Sequence, residues 1–267
     1  MIKERTWRCS VCGYIHKGET PPKECPQCSS SSKEFLEFNE NKPKTRLKFD
    51  GKKFDVLIVN GSSHHSHNTS ILADIAENYL KKRKVSYRRI NLNELSIYHC
   101  WCCYSMKNNA CTYPCRNQLD DMQALYEMML NSKAIIVASP INWNNMSARL
   151  KDFLDRLTSL QNMPLLKKES LTKCKVAAIM INGHEDGAMK TAMDIFLYFQ
   201  QMGYILAPYG IAYRTHGKDH DTIKDNEFFK NDKVIKSEVE GLVNNVIETI
   251  NLNIESKLAK NIISICE

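Results

Sequence analysis

Beyond residue 50, five short apolar runs alternate with stretches of helical periodicity, and this alternation limits the fold more than any other feature of the chain. The runs are Phe54 to Val59, Val85 to Leu92, Ala134 to Ala138, Val176 to Ile181 and Ile205 to Tyr213, each strand-like in length and residue type. Between the first two, Leu72, Ile75, Ala76, Tyr79 and Leu80 recur at helical spacing, and Leu150, Phe153, Leu154 and Leu157 do so after the third; both stripes can pack onto a sheet. Strands alternating with helices predict an α/β fold with a doubly wound, five-stranded parallel sheet. Ligands in such folds settle at the carboxyl ends of the strands, which singles out loops 61–69, 139–146 and 183–188. The last fifty residues predict a loop from His216 to Asp225 and then one long helix, with Val239, Leu242, Val243, Val246, Ile247, Ile250, Ile254 and Leu258 on one face.

The amino-terminal part follows a different logic. Cys9 and Cys12 form one Cys-x-x-Cys knuckle, and Cys25 and Cys28 form a second. Two such knuckles can wrap a metal, because the short spacing lets both sulfurs of a pair point inward. Gly13 follows the first knuckle, where the backbone needs an unusual dihedral. Spacing alone leaves iron and zinc both open, since tetrahedral sulfur suits either. Residues 29–35 are mostly serine, and 37–52 are rich in asparagine, lysine and glutamate with Pro43, a linker composition. The expected organisation is a small metal-binding domain over 1–35, a linker over 36–52 and an α/β domain over 53–267.

Eleven cysteines is an odd count, and the opening Met-Ile-Lys-Glu-Arg lacks the apolar core of a signal peptide. Metal ligands and reduced thiols are therefore expected rather than a disulfide framework. With no apolar run of membrane-spanning length, a cytoplasmic location and no membrane partner are expected. Cys174 and Cys266 read as buried bystanders. The formal charge of +7 counts cysteines as neutral, and four metal-bound thiolates offset part of it. Lys81, Lys82, Arg83 and Lys84, and then Arg88 and Arg89, lack interleaved aromatics, so a solvated helix end is expected there and no nucleic-acid partner.

After the first strand, Asn60-Gly61-Ser62-Ser63-His64-His65-Ser66-His67-Asn68-Thr69 is a hydroxyl-rich turn entering a helix, where unpaired N–H groups and the helix dipole favour a phosphate. The lysine of a P-loop and the triple glycine of a dinucleotide site are both missing. Three segments carry a resemblance: Gly61-Ser62 with Asn68-Thr69; Ser139-Pro140-Ile141-Asn142-Trp143-Asn144 with Leu150-Lys151-Asp152-Phe153 and Asp155-Arg156; and Gly183-His184-Glu185-Asp186-Gly187. They resemble the cofactor loops of the flavodoxin-like NADPH-dependent FMN reductase and iron-sulfur flavoprotein families, over roughly residues 53–215. The resemblance implies FMN, with Ser62, His64, Ser66, Asn68 and Thr69 around its phosphate. It places Ser139, Pro140, Ile141, Asn142, Trp143 and Asn144 along the ribityl chain and ring, and Gly183, His184, Asp186 and Gly187 near the ring. Asn142 stands where these families have an aromatic, and Trp143 offers that surface one position later. His64, His65 and His67 are metal-ligand types, but a phosphate is the expected occupant of this turn.

Residues 5–30, with Trp7, Gly13, Tyr14, Gly18, Pro21 or Pro22, and Pro26 around the knuckles, resemble the rubredoxin-like domain of rubrerythrins. That resemblance favours one rubredoxin-type iron, with zinc as the alternative. Cys100, Cys102, Cys103, Cys111 and Cys115, ahead of Asp120-Asp121, fall where iron-sulfur flavoproteins carry the ligands of a four-iron cluster. Cys100, Cys103 and Cys111 align with that motif, but Met106 occupies the remaining position, and a thioether replaces a thiolate poorly. Cys102 or Cys115 would have to complete a 4Fe-4S site. The other reading has thiols without a cluster, in a lid that carries Trp101 and Tyr104 over a pocket.

The resemblances together imply an FMN-dependent oxidoreductase passing electrons between flavin and a rubredoxin-type iron. NAD(P)H or a redox protein is the expected partner, and a homodimer or homotetramer the expected assembly. No protein nucleophile is expected, because the chemistry belongs to the cofactor. Two alternatives stand beside this reading: a flavin or quinone reductase whose amino-terminal domain is a structural zinc ribbon, and a nucleic-acid or protein-binding module on a flavodoxin-like scaffold that has lost its cofactor.

Overall fold

The computed structural model describes residues 5–9, 14–26, 31–37, 47–64, 67–105, 110–184, 187–215 and 222–253. Its first part is a three-stranded antiparallel sheet of order β2-β1-β3, from β1 (Arg5–Cys9), β2 (Ile15–Gly18) and β3 (Phe35–Glu37). Cys9, Cys25 and Phe35 are buried there against Trp7 and Tyr14, and the Trp7 indole donates to the Gly18 carbonyl at 3.1 Å. β3 corrects the expected boundary, because residues 35–37 belong to this small unit. A two-stranded ribbon is marginal in water, and the third strand covers the second edge of β1.

The linker is also shorter at its far end than composition suggested. Leu47 and Phe49 pack on the large core. The Arg88 guanidinium lies over Phe49 and Phe54 at 5.2 and 5.6 Å and pairs with Asp50 at 2.6 Å. Aromatic faces and a carboxylate thus hold the chain down before the first strand of the large sheet.

That sheet and its helices run β4 (Phe54–Asn60), α1 (Asn68–Lys82), β5 (Tyr87–Asn91), α2 (Met122–Asn131), β6 (Ser132–Pro140), α3 (Ala148–Arg156), α4 (Thr158–Gln161), α5 (Met163–Lys167), β7 (Val176–Gly183), α6 (Ala188–Gln201), β8 (Ile205–Thr215), α7 (Thr222–Asn231) and α8 (Lys233–Asn251). The five strands pair in parallel in the order β5-β4-β6-β7-β8. This is the flavodoxin-like order, with its switch point between β4 and β6.

Alternate strand residues feed two cores. Leu57, Val59, Ile135, Val137, Ile179 and Ile181 meet the faces of α2, α3 and α6, while Val56, Ile58, Ala134, Ile136, Ala178 and Met180 meet α1 and α8. The stripes expected on α1 and α3 are in place, with Leu72, Ala76, Leu80, Leu150, Phe153 and Leu154 wholly buried.

The carboxyl-terminal region departs from expectation. Asp232 accepts the N–H groups of Val234 and Ile235 at 2.9 and 3.3 Å, and this cap starts α8 afresh. α7 forms from Thr222, where a loop through Asp225 was expected. The buried stripe on α8 runs from Ile235 to Ile247 with Ile250 half-buried behind it, and Ile254 and Leu258 lie outside the described residues. Cys174 is buried as expected, and Cys266 lies outside the described residues. Much of the basic cluster is paired: Lys81 with Glu77, Arg83 with Glu248, and Arg89 with Asp74 and Glu77. Among the described residues no helix is long and apolar enough to cross a membrane.

Candidate functional site

Three loops at the carboxyl ends of β4, β6 and β7 close on one another. The Gly61 N–H donates to the Ala138 carbonyl at 2.8 Å and the Gly61 carbonyl accepts Ser147 Oγ at 2.6 Å, so a Cβ on Gly61 would stand 3.1 Å from the Ala138 oxygen. On the other side, Ile141 N–H donates to the Asn182 carbonyl at 2.8 Å, and a Cβ on Gly183 would stand 2.6 Å from Ile141 Cδ1. Gly187 takes φ +104° at the N-cap of α6, and a Cβ there would stand 2.6 Å from Asn144 Oδ1. Loop 139–146 is thus held between its neighbours by contacts that a side chain at these glycines would break. Ser139 is wholly buried and braces the loop internally, donating to the Pro140 carbonyl at 2.9 Å and accepting the Ser147 N–H at 3.2 Å.

The turn after β4 is shaped by side chains. Asn60 Oδ1 accepts the Ser62 N–H at 3.0 Å, Asn60 Nδ2 donates to Ser70 Oγ at 2.9 Å, Ser62 Oγ accepts the His64 N–H at 3.1 Å, and Ser70 Oγ donates to the His64 carbonyl at 2.8 Å. Ser62, Asn68 and Thr69 are buried. His67 occupies the N-cap of α1 without capping it through its side chain, and Asn68 Oδ1 is buried with no hydrogen-bond partner. An uncapped helix start suits an anion, and an orphaned buried acceptor needs a donor. A phosphate and a ribityl hydroxyl fit both needs. The His64 and His67 rings stack at 4.2 Å, and burial followed by the neighbouring His64 depresses the His67 pKa. His65 and Ser66 lie outside the described residues, and no group of metal ligands gathers here among the described ones.

At the loop after β6, an open cleft of about 660 Å³ is lined by Ile141, Asn142, Trp143, Asn145, Met146, Ala148 and Lys151. Asn142 and Asn145 bridge across a two-residue turn in which Trp143 and Asn144 are both left-handed, at φ +50° and +56°, as a type I′ hairpin requires. Trp143 is consequently held out on the rim of the cleft, 99% exposed. Lys151 Nζ meets both Asp155 carboxylate oxygens at 2.6 Å, and the Tyr198 hydroxyl donates to Asp155 at 2.8 Å. Burial acts to lower the Lys151 pKa, but these partners outweigh it and the pKa rises, so Lys151 stays protonated and paired with Asp155 at the edge of the cleft. Asn182 Oδ1, at the end of β7, is a second buried acceptor without a donor. His184 is exposed, and Asp186 lies outside the described residues.

The cysteine-bearing loop after β5 is anchored by Arg156, which is 2% exposed. Its Nη1 donates to Asp120 Oδ2 at 2.5 Å and to the Tyr98 carbonyl at 3.0 Å, and its Nη2 donates to the Asn117 carbonyl at 2.7 Å and Cys115 Sγ at 3.7 Å. Asp120 also accepts the Tyr98 N–H, and Asp121 accepts the N–H groups of Ser96 and Leu47 at 2.8 and 2.7 Å. The acidic pair, which sequence reading saw only as a motif, therefore fastens this loop and the chain entering the domain.

The five thiols lie within electrostatic reach of one another. Burial, then Cys100 and Cys115, pushes Cys111 up to about 12, and burial pushes Cys100 up to about 11 against the Cys102 N–H. Yet no three metal-ligand side chains converge among the described residues. Arg156 and Asp120 hold the two ends of the loop, at Tyr98 and at Asn117, and the expected ligands Cys100, Cys103 and Cys111, with Cys102 or Cys115, lie between them. Met106 lies outside the described residues. Trp101 and Tyr104 are 37% and 49% exposed, facing solvent instead of closing a pocket as the lid reading expected. In metal-free protein at pH 8, iodoacetamide should label exposed Cys102 roughly tenfold faster than buried Cys111, read by peptide mass spectrometry.

In the small unit, Cys9 and Cys25 are 0% and 1% exposed. The Cys9 N–H donates to the Tyr14 carbonyl at 2.8 Å, and Glu24 bridges Ser31 around the second knuckle. Cys9, at the end of β1, and Cys25 each place a buried sulfur in one small core, donors that suit a thiolate-bound metal. Cys12 and Cys28 lie outside the described residues.

Comparison with known proteins agrees with this geometry. The family profile for NADPH-dependent FMN reductase matches residues 54–218, more than half of the chain, and that for the rubrerythrin, rubredoxin-like domain matches residues 7–36. An iron-sulfur flavoprotein of Archaeoglobus fulgidus is 29% identical over 108 residues, 40% of this chain and 47% of that protein. Another, of Methanocaldococcus jannaschii, is 26% identical over 136 residues, 48% of this chain and 64% of that protein. The match therefore spans about half to under two thirds of these relatives' length. RosB, solved with bound 8-demethyl-8-formylriboflavin-5'-phosphate, superposes with TM-score 0.57 at 22% identity, covering 78% of this chain and 86% of that one. A flavone reductase does so with TM-score 0.51 at 14% identity, covering 78% and 64%. At such identities these two structures establish a shared fold. The chain belongs to the NADPH-dependent FMN reductase family and carries a rubredoxin-like domain at its amino-terminal end.

Proposed function

We propose that this protein is a flavin-dependent oxidoreductase that holds FMN among loops 61–69, 139–146 and 183–188 and exchanges electrons with one iron bound by Cys9, Cys12, Cys25 and Cys28. The observation that carries the reading is the α1 amino terminus, left without a side-chain cap beside the partnerless buried Asn68 Oδ1. Bound FMN supplies hydride exchange on one side and single-electron exchange on the other. The residues of the chain do the rest. The first N–H groups of α1 hold the phosphate, with Ser62 and Thr69 beside them. Asn68 and Asn182 accept hydroxyls, Lys151 borders the cleft as a donor paired with Asp155, and Trp143 walls its rim. Nine residues, 38–46, separate the described parts of the two units, a tether that keeps them at roughly millimolar effective concentration.

Iron is favoured over zinc by the rubrerythrin-type match, and NADPH is the proposed donor from the family. The proposed route does without a four-iron cluster, in keeping with Met106 at a position where such a motif carries a thiolate. Absorption of the purified protein, with iron, zinc and acid-labile sulfide assayed on the same sample, tests this directly. Flavin and ferric-thiolate bands without sulfide, both bleached by anaerobic NADPH, are expected. A colourless protein that does not retain added FMN overturns the reading.

A homodimer is part of the proposal, supported by an uncovered stripe on α6 in which Met189, Met193 and Leu197 are 50%, 42% and 52% exposed. Such a stripe is a common subunit contact. Met193→Glu is expected to halve the mass seen by light scattering after gel filtration, with the far-ultraviolet spectrum unchanged.

A further inference from the structure

The chain enters the large domain at an unexpected place. Helix α2 runs antiparallel to the strands, so its N-cap, Asp121, lies at their carboxyl ends with the flavin loops. The Asp121 carboxylate accepts the Leu47 N–H at 2.7 Å on one oxygen and the Ser96 N–H at 2.8 Å on the other, and Asp121 itself is 6% exposed. The tether to the amino-terminal unit is thus fastened at the root of the cysteine loop, and only from there does the chain run back to the start of β4. Trp101 follows Ser96 by five residues, so it lies at most about 18 Å from it, whereas the segment from Glu37 to Leu47 reaches up to about 36 Å.

The face within that reach is aromatic and uncovered: Trp101 is 37% exposed, Tyr104 is 49% exposed, and Cys102 between them is exposed. Trp and Tyr are the residues that most often anchor protein contacts. The amino-terminal unit offers a matching strip beside Cys25, with Pro21 and Pro22 half-exposed and Pro26 exposed, and aromatic surfaces commonly receive proline-bearing segments.

We propose that the exposed face of residues 99–105 is the landing surface for the chain's own amino-terminal unit, and that Asp121 selects it by fastening the tether beside it. Docking there brings the buried Cys9 and Cys25 of the small unit toward the flavin end of the large one. The inference needs neither flavin nor iron, so it stands or falls apart from the electron-transfer reading.

The test uses the full chain with Tyr104→p-benzoylphenylalanine, photolysed as a mixture of isotopically light and heavy protein, with adducts mapped by mass spectrometry. Adducts from position 104 to residues 14–26 of the same chain are expected, and none from the same probe at Tyr209, which is 91% exposed on the edge strand β8. Adding twenty Gly/Ser residues within 38–46 should cut the yield about fivefold through lower effective concentration, and Asp121→Ala should cut it comparably. Adducts confined to the large domain, adducts joining heavy to light chains, or a yield indifferent to linker length would each overturn the proposal.

Discussion

Arg156→Met is expected to destabilise the large domain by about 3–5 kcal/mol, because it leaves a buried carboxylate without its counter-charge. The Asp120 and Arg156 side chains are 0% and 1% exposed, so water cannot replace the lost partner. The same change removes hydrogen bonds to the carbonyls of Tyr98 and Asn117, and the loop between them should lose its hydrogen-exchange protection. A guanidinium chloride titration followed at 222 nm measures the first effect. A midpoint within error of the parent would show that Asp120 finds another partner. Asp120→Asn is the milder test: it removes the charge, keeps the shape, and should cost less than Arg156→Met.

None of this network was readable from the chain. Arg156 and Asp120 are 36 residues apart, and an arginine that follows a helical stripe ordinarily points to water. Its burial depends on carbonyls supplied by an irregular loop, which carries no periodicity. The strands were readable for the opposite reason. β4, β6 and β7 are covered on both faces, so their sequences are nearly continuous in Val, Ile, Ala and Met, and the rule that ligands sit at strand carboxyl ends then located the three loops. β3 is only three residues long, too short for any pattern to register, and it sits where a serine-rich stretch gives way to the linker composition. The cap at Asp232 has no place in a reading that runs one helix on from residue 225, because the apolar stripe of α8 gives no sign of a break before it. The outward position of Trp143 follows from a left-handed backbone that an aromatic residue rarely adopts, so no local preference announced it.

Gly187→Ala should weaken FMN binding roughly 100-fold, about 3 kcal/mol, by two effects at one atom. The residue holds φ +104°, and the added Cβ would stand 2.6 Å from Asn144 Oδ1 and 3.3 Å from Asn144 Cα. Relief requires either a change in the backbone entering α6 or withdrawal of the hairpin that carries Trp143. Both disturb the rim of the cleft while leaving the phosphate turn intact. Gly51→Ala separates the two causes. Gly51 has φ +74° with nothing within 4 Å of the added atom, so it carries the dihedral strain without the collision, far from any proposed cofactor contact. Flavin fluorescence titrations of both variants should show a large loss for the first and almost none for the second. Equal losses would mean that strain alone is transmitted through the fold, and that closeness of the loops does not set affinity.

Because a guanidinium and a carboxylate grip this stretch at Tyr98, Asn117 and the Cys115 sulfur, exchanging the thiols of Cys102 and Cys103 for hydroxyls should change what the loop can bind without changing how it is held. Chemistry and architecture are assigned to different side chains of the same few residues.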